Sequence, residues 1–228
     1  MATIVRVIKK IAEKRIVFKV TIPSVWQKLY RKFEILWEKI NGLDFSTVVP
    51  VAELGLDEYL VTKGSPSCNK YLIQLFDELN ITSNDRILDI GCAKGGAIRC
   101  MTKFPFSKID GIEISDVLSN IATKNFAKLN EQRVEVKNID ASIFSGYTGY
   151  NFLYLYNPFP EEVMKKVLSQ IKAQIDSKKE IIIVYNNPVC HKQIIKHGFH
   201  KVKEFPDMWG NGITLYSNLQ NSQRLKHL

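Results

Sequence analysis

The feature that most constrains this chain is a run of eleven residues, 86–96, with the sequence Arg-Ile-Leu-Asp-Ile-Gly-Cys-Ala-Lys-Gly-Gly. A short apolar strand ends in an acid and breaks into a small-residue loop, and a helix is predicted to follow from Ala97 to Lys103. Glycines let the backbone approach a ligand closely. The N–H groups at the start of the helix favour a carboxylate or phosphate. Asp89 lies at the carboxyl end of the strand, where open α/β sheets bind ligands. The run therefore predicts a nucleotide-type site.

Length and composition predict one main domain with an appendage. A chain of 228 residues that is 45% hydrophobic can bury one sizeable core. The longest apolar runs, such as 180–185, are far shorter than a membrane span, and the N-terminus lacks the pattern of a secretory signal. We therefore expect no transmembrane segment and a cytoplasmic location.

The cysteines are scattered without the CxxC spacing of a zinc site. They are Cys68, Cys92, Cys100 and Cys190. This pattern favours free thiols in a reducing compartment over a disulfide framework, and no metal site is predicted.

The net charge of +9 is concentrated at the N-terminus. Residues 1–40 carry ten Lys and Arg against three Asp and Glu. We predict a basic helical extension and lid over residues 1–66 and a nucleotide-binding domain over 67–228. A second helical piece is predicted from Ser24, because apolar residues recur there at three-to-four spacing as far as Ile40.

Strands and helices alternate after Asp89, which predicts an α/β fold with a doubly wound, mostly parallel seven-stranded sheet. Strands are predicted at 86–89, 108–112, 133–137, 152–156, 180–185, 200–205 and 212–216. Helices are predicted at 67–79, 97–103, 115–129, 161–176 and 189–197. The link 206–211 is too short for a parallel crossover, so the last strand should be antiparallel.

Acids follow the second and third predicted strands. The loop is not the dinucleotide fingerprint, because Ala93 stands where that pattern has its second glycine. Glu113 follows Asp89 by 24 residues and suits both hydroxyls of a ribose, although it could instead cap a helix or face solvent. Asp140 could accept a hydrogen bond from an adenine amino group or cap the next short helix. Asn157 could project over the carboxyl edge of the sheet or cap the helix near Glu161.

Taken in order, these motifs resemble those of the Rossmann-like class I S-adenosylmethionine-dependent methyltransferases over about Ser67 to Tyr216. The motifs are Asp89 to Gly96, Gly111 to Glu113, Asp140-Ala141 and Asn157 to Phe159. Within that superfamily the chain resembles a poorly characterised set of small bacterial methyltransferases. The features shared with that set are 48–56, 65–67, 156–159 and 185–188. The chain is more distantly similar to the non-SET histone lysine methyltransferases.

The resemblance implies that the cofactor is S-adenosylmethionine and implies which residues bind it. Asp89, Gly91 and Gly95 would surround the methionine moiety, Glu113 would hold the ribose, and Asp140 and Ala141 the adenine, with Asn157 beside the transferred methyl group. Cys92, Ala93 and Ile114 are the other predicted cofactor-binding residues. Amino methyltransferases carry Asn/Asp-Pro-Pro-aromatic where this chain has Asn-Pro-Phe-Pro. The acceptor therefore stays open between oxygen and nitrogen.

Two further assignments concern residues outside those motifs. A hydroxyl acceptor would need a base, and His191 is the candidate, unless it merely begins a helix. The segment 59–67 would close over the cofactor with Lys63 or Ser65 near its carboxylate, or would serve only as a linker.

Residues 1–42 have three interpretations. Their basic helix could lie on an anionic membrane surface, follow nucleic-acid phosphates, or pack on the catalytic domain. Packing on the catalytic domain is favoured, and membrane contact ranks ahead of nucleic acid because no RNA-binding module is recognisable.

The predicted function is transfer of a methyl group from S-adenosylmethionine to an unidentified O or N acceptor. The alternatives are a protein-lysine methyltransferase, a non-catalytic cofactor-binding module that acts through its basic N-terminus, and a nicotinamide oxidoreductase.

Overall fold

The computed structural model describes residues 24–47, 49, 68–207 and 210–228. The predictions made for 1–23, and for Lys63 and Ser65, lie outside the described residues. The chain divides into two compact units, 1–37 and 38–228. Helix α1 runs Ser24–Ile40, as its apolar spacing predicts.

The predicted seven-stranded sheet is confirmed. Its strands are β1 (Arg86–Ile90), β2 (Lys108–Glu113), β3 (Val134–Asn138), β4 (Phe152–Tyr156), β5 (Ile182–Asn186), β6 (His200–Phe205) and β7 (Ile213–Ser217). Their order across the sheet is β3-β2-β1-β4-β5-β7-β6. Strand β7 is antiparallel to both β5 and β6, while the pairs among β1 to β5 are parallel. The order reverses between β1 and β4, which places the ligand crevice of such a sheet at their carboxyl ends.

The helices agree with the predicted positions to within a few residues. They are α2 (Lys70–Glu78), α3 (Gly96–Met101), α4 (Asp116–Leu129), α5 (Glu161–Gln174) and α6 (His191–Lys196), with a 3-10 turn at Tyr147–Gly149. Helix α2 begins later than predicted because Asn69 caps it, accepting hydrogen bonds from the N–H groups of Tyr71 and Leu72. Ser115 caps α4 in the same way through the N–H of Leu118.

Side chains alternate along each strand, so the sheet buries two apolar faces. The face that we call the α2 face carries Ile87, Phe152 and Val184 in one cluster with residues of α2 and α3. The opposite face, the α5 face, carries residues such as Leu88 and is covered by α5 and α6. Asp89, two residues after Ile87, therefore belongs to the α2 face.

The expectation of four free thiols is wrong for one pair. Cys68 and Cys100 form a disulfide across 32 residues, while Cys92 and Cys190 are free and buried. Cys68 precedes α2 and Cys100 lies within α3, and these two helices contact each other. The partners are too far apart in the sequence for spacing to reveal the pairing.

Within the described ranges, no helix has the length and apolar character needed to cross a membrane.

Candidate functional site

The glycine loop connects β1 to α3 at the carboxyl edge of the sheet. Gly91 and Gly95 have φ angles of +77° and +84°, which favour glycine. A Cβ on Gly91 would lie 2.6 Å from the Cβ of Pro158, and one on Gly95 would lie 2.4 Å from the Phe126 ring. The loop is therefore packed tightly between the turn that follows β4 and helix α4, and a side chain at either glycine would force these elements apart.

Glu113, at the end of β2, holds the middle of this loop. Its Oε2 accepts a hydrogen bond from the N–H of Ala93 at 2.9 Å, and its Oε1 accepts one from the N–H of Ser115 at 2.9 Å. Ala93 has a φ of +47°, which is unusual for a residue with a side chain. Burial raises the pKa of Glu113, and the hydrogen bonds from Ser115 and Ala93 partly offset that rise. The predicted ribose residue thus touches the loop and still has lone pairs for a ligand.

Asp89 is buried beside this glutamate. Burial raises the pKa of Asp89 well above its ordinary value, and the negative charge of Glu113 raises it further. A buried acid beside a second carboxylate favours a ligand that carries positive charge. This preference suits a sulfonium and an ammonium group, and it disfavours the pyrophosphate of a dinucleotide.

Lys94, the basic residue of the loop, does not neutralise the two acids, because its ammonium group bonds a different part of the chain. Its Nζ donates to Asp44 Oδ2 at 2.7 Å, to Thr47 Oγ1 at 2.6 Å and to the Thr47 carbonyl at 2.9 Å. Burial raises the pKa of Asp44, but hydrogen bonds from Lys94 and Thr47 outweigh that effect and leave it lowered. Lys94 is therefore a structural anchor.

The segment that Lys94 anchors is residues 38–47, which we call the strap. The buried Glu38 carboxylate accepts hydrogen bonds from the N–H groups of Phe45 and Ser46 and from Arg99 of α3. Phe45 contacts the Phe126 ring edge to face, with centroids 5.6 Å apart. The strap thus supports the glycine loop from the side of α3 and α4. The sequence predicts no structure for this contact, since nothing local pairs Asp44 with Lys94.

Cys92 and Ile114 contribute differently from the other predicted cofactor residues. A Cβ on Gly111 would lie 2.6 Å from the Cys92 Sγ, so this thiol packs into the core against β2. Ile114 lies in the turn after β2, where its carbonyl accepts a hydrogen bond from Asn138 Nδ2 at 2.9 Å.

The predicted adenine residues follow β3. Asp140 Oδ1 accepts from the N–H of Ser142 at 2.7 Å within a short turn. It caps no helix, because the next helical turn begins only at Tyr147 and its N-cap is Gly146. The Ala141 carbonyl accepts from the Tyr147 hydroxyl at 2.8 Å. Both residues lie at the same sheet edge as Glu113, because β3 pairs in parallel with β2.

Asn157 begins a strained turn that has a twin on the next strand. Asn157 and Asn187 have φ angles of +39° and +52°, and each precedes a proline, which disfavours such a backbone. Tyr156 pairs with Asn186 in the β4–β5 register, so the two Asn-Pro turns lie side by side. Strain of this kind clusters at functional sites.

Sequence reasoning missed two polar side chains beside these turns. Asn186 is 1% exposed, and its Nδ2 donates to the Tyr154 hydroxyl at 3.4 Å. Among the described residues, its Oδ1 has no hydrogen-bond partner. Burial raises the pKa of Tyr154 well above its ordinary value and the charge of Asp89 raises it further, so Asp89 and Tyr154 are electrostatic neighbours. The signal in the sequence is strand alternation, which puts all three residues on the α2 face.

The structure does not bring His191 to this group. Its Nδ1 forms a hydrogen bond with the Tyr216 hydroxyl at 2.8 Å. Tyr216 belongs to the cluster on the α5 face, opposite Asp89 and Tyr154. Burial raises the pKa of Tyr216 to about 12, so Tyr216 remains protonated at neutral pH.

Comparisons with known proteins agree on the fold. A methyltransferase from Aquifex aeolicus described as SAM dependent aligns over 68% of this chain and 98% of its own, with a TM-score of 0.52 and 15% identity. An RNA methyltransferase from Salinibacter ruber, solved with S-adenosylhomocysteine, aligns over 69% and 96%, with a TM-score of 0.52 and 15% identity. A mutant of MtNAS in complex with S-adenosylmethionine aligns over 64% and 60%, with a TM-score of 0.51 and 19% identity.

These likenesses show that the chain has the Rossmann-like methyltransferase fold. No family model and no curated protein matches the sequence. The more distant likeness to the non-SET histone lysine methyltransferases is not confirmed.

Proposed function

We propose that this chain, which has the fold of the S-adenosylmethionine-dependent methyltransferases, transfers a methyl group from that cofactor to an oxygen or nitrogen acceptor. The observation that carries the proposal is the pair of buried acids, Asp89 and Glu113, at the glycine loop. Both pKa values are raised by burial, so the site gains from a cationic ligand. The strap supports the loop, and Lys94 is committed to Asp44.

The residues present fit this cofactor. Gly91 and Gly95 hold the loop in positive-φ conformations at the carboxyl edge of the sheet, Glu113 has lone pairs for two hydroxyls, and Asp140 with Ala141 follows the neighbouring strand. When bound, S-adenosylmethionine would supply a methyl group carried by a sulfonium sulfur. The lone pair of the acceptor atom would form the new bond to this methyl group, and the sulfur would keep the electron pair of the broken C–S bond. The proton of the acceptor would pass to solvent. The protein mainly orients the two partners, an effect that can contribute about 7–11 kcal/mol at best.

Calorimetric titration with S-adenosylhomocysteine tests this function. We expect saturable binding by the wild type and affinity at least about tenfold weaker in Glu113→Gln, because a hydrogen bond to a charged group is lost. Glu135→Gln is the matched control, since Glu135 lies on β3 with 56% of its side chain exposed and forms ion pairs with Lys108 and Lys137. Its affinity should equal that of the wild type. Absence of S-adenosylhomocysteine binding, or binding of NAD in its place, would overturn the proposal.

A further inference from the structure

Several buried side-chain polar atoms of the described residues lack a hydrogen-bond partner, Asp110 Oδ1 and Arg224 Nε among them, and one lies at the carboxyl edge of the sheet. The Oδ1 of Asn186 lies at the carboxyl end of β5 without a hydrogen-bond partner among the described residues, while its Nδ2 is used by Tyr154. A buried amide oxygen without a hydrogen bond lowers the stability of the folded state, so proteins rarely retain one without a use. A leucine would fill a similar volume in this otherwise apolar strand without that cost.

The position of this atom points to the acceptor side of the site. Asn186 pairs with Tyr156, the residue before Asn157, and it shares the α2 face with Tyr154 and Asp89. Tyr154 lies between the other two, since it pairs with Asp89 in the β1–β4 register and bonds the Asn186 amide. A continuous polar row therefore runs from the acid beside the glycine loop to the second Asn-Pro turn.

We propose that Asn186 is a specificity residue whose Oδ1 binds the group that receives the methyl. This inference rests on the proposed function and narrows its substrate class. An amide oxygen only accepts hydrogen bonds. The group that receives the methyl must therefore donate a hydrogen bond through its nucleophilic atom, as an amine or a hydroxyl does. A carboxylate or a thioether has no hydrogen to donate and would not bind there.

Tyr154 acts as the positioning residue in this arrangement. Its hydroxyl accepts from the Asn186 Nδ2, which fixes the amide with its oxygen turned away from Tyr154. Because the pair is shielded from bulk water, a hydrogen bond to a ligand would be stronger there than at the surface.

The probe for this inference is sinefungin, an S-adenosylhomocysteine analogue with an amine in place of the transferred methyl group. Its ammonium group takes the position of the transferred methyl group, and the rest of the molecule resembles S-adenosylhomocysteine. The ratio of the two affinities, sinefungin to S-adenosylhomocysteine, therefore reports the contacts made on the acceptor side. We expect Asn186→Leu to lower that ratio by about tenfold or more while the affinity for S-adenosylhomocysteine stays within about twofold. Asn186→Asp retains an acceptor oxygen and should keep or increase the ratio.

Tyr185→Phe is the matched control. Tyr185 precedes Asn186 on β5, is fully buried and belongs to the α5 face, where its hydroxyl accepts from the N–H of Cys190 at 3.3 Å. It should leave the ratio unchanged. If Asn186→Leu does not fold, Tyr154→Phe provides the second test, with a smaller loss in the same direction. If the ratio is unchanged in Asn186→Leu, or in Tyr154→Phe where that variant replaces it, the inference is wrong, but the proposed function stands as long as the protein binds S-adenosylhomocysteine. If the wild type binds neither sinefungin nor S-adenosylhomocysteine, the proposed function itself is wrong.

Discussion

The two sides of the carboxyl edge differ in how completely their polar groups are satisfied. On the loop side, residues 89–96 with 113–115, Glu113 bonds two backbone N–H groups and Lys94 makes three hydrogen bonds to the strap. On the turn side, residues 156–158 with 186–188, two asparagines hold strained backbones before prolines and Asn186 retains an unpartnered oxygen.

Hydrogen bonds thus hold the backbone of the loop side in place before a ligand binds, although its two acids still favour a cationic ligand, while the turn side retains an amide oxygen without a partner. A satisfied network fixes geometry before binding, which lowers the entropy cost of binding a cofactor. Strained turns and an unsatisfied amide are tolerated where a ligand offsets their cost. Under the proposed function, the loop side is where we expect the methyl donor to bind, and the turn side is where we expect the acceptor.

The largest expected effect comes from Gly91→Ala, because Gly91 lies on the loop side and packs against Pro158 of the turn side. The new Cβ would lie 2.6 Å from Pro158, and alanine would be held at a φ of +77°. We expect a loss of about 2–5 kcal/mol in the free energy of unfolding, with no measurable binding of S-adenosylhomocysteine. Chemical denaturation and calorimetry measure the two effects.

Gly198→Ala is the control for Gly91→Ala. Its φ is +91° but nothing lies within 4 Å of the new Cβ, so only the backbone cost of about 1–2 kcal/mol should appear. Equal losses in the two variants would show that the loop and the turn after β4 are not tightly packed.

Lys94→Met tests the support that the strap gives the loop side. Methionine keeps the buried stem but removes three hydrogen bonds to Asp44 and Thr47. With the Asp44 side chain 37% exposed, we expect a loss of about 1–2 kcal/mol in unfolding free energy and weaker binding of S-adenosylhomocysteine. Lys165→Met, which breaks only exposed ion pairs with Glu161 and Glu162, should change neither. Unchanged cofactor affinity in Lys94→Met would mean that the strap does not order the loop.

Asp89→Asn tests the charge of the loop side through pH. Burial and Glu113 raise the folded-state pKa of Asp89 above its unfolded value, so the folded state binds the proton more tightly. The wild type therefore loses unfolding free energy as pH rises from about 4 towards neutrality. Asp89→Asn should be more stable than the wild type at pH 7, with the advantage shrinking towards pH 4, and should bind S-adenosylhomocysteine more weakly. Thermal unfolding across this pH range measures it, and an advantage that does not vary with pH would contradict the buried charge.

The smallest effect is expected from His191→Ala. The variant loses one hydrogen bond to Tyr216, worth about 1 kcal/mol, on the α5 face. The ratio of sinefungin to S-adenosylhomocysteine affinity should stay at the wild-type value. A fall in that ratio would place His191 on the turn side after all.

Much of the loop side was predictable because its signals are local. A strand, an acid and glycines in sequence locate Asp89 and Gly91, and strand spacing locates Glu113. The turn side was only half predictable. Asn157 is predictable because it stands in a local motif beside prolines. Asn186 and Tyr154 can be recognised as site residues only when β4 and β5 pair and place them on one face of the sheet. The Lys94–Asp44 anchor and the Cys68–Cys100 disulfide join residues distant in sequence, and no local pattern encodes such pairings.

Hydrogen–deuterium exchange of the wild type with and without S-adenosylhomocysteine shows which side of the carboxyl edge binds the cofactor. We expect slower exchange in peptides that contain Gly91 to Gly96 and Glu113 to Ser115, with far less change in the turn at Asn186 to Pro188. Protection absent from the glycine loop, or confined to the turn side, would contradict the assignment of the loop side to the methyl donor.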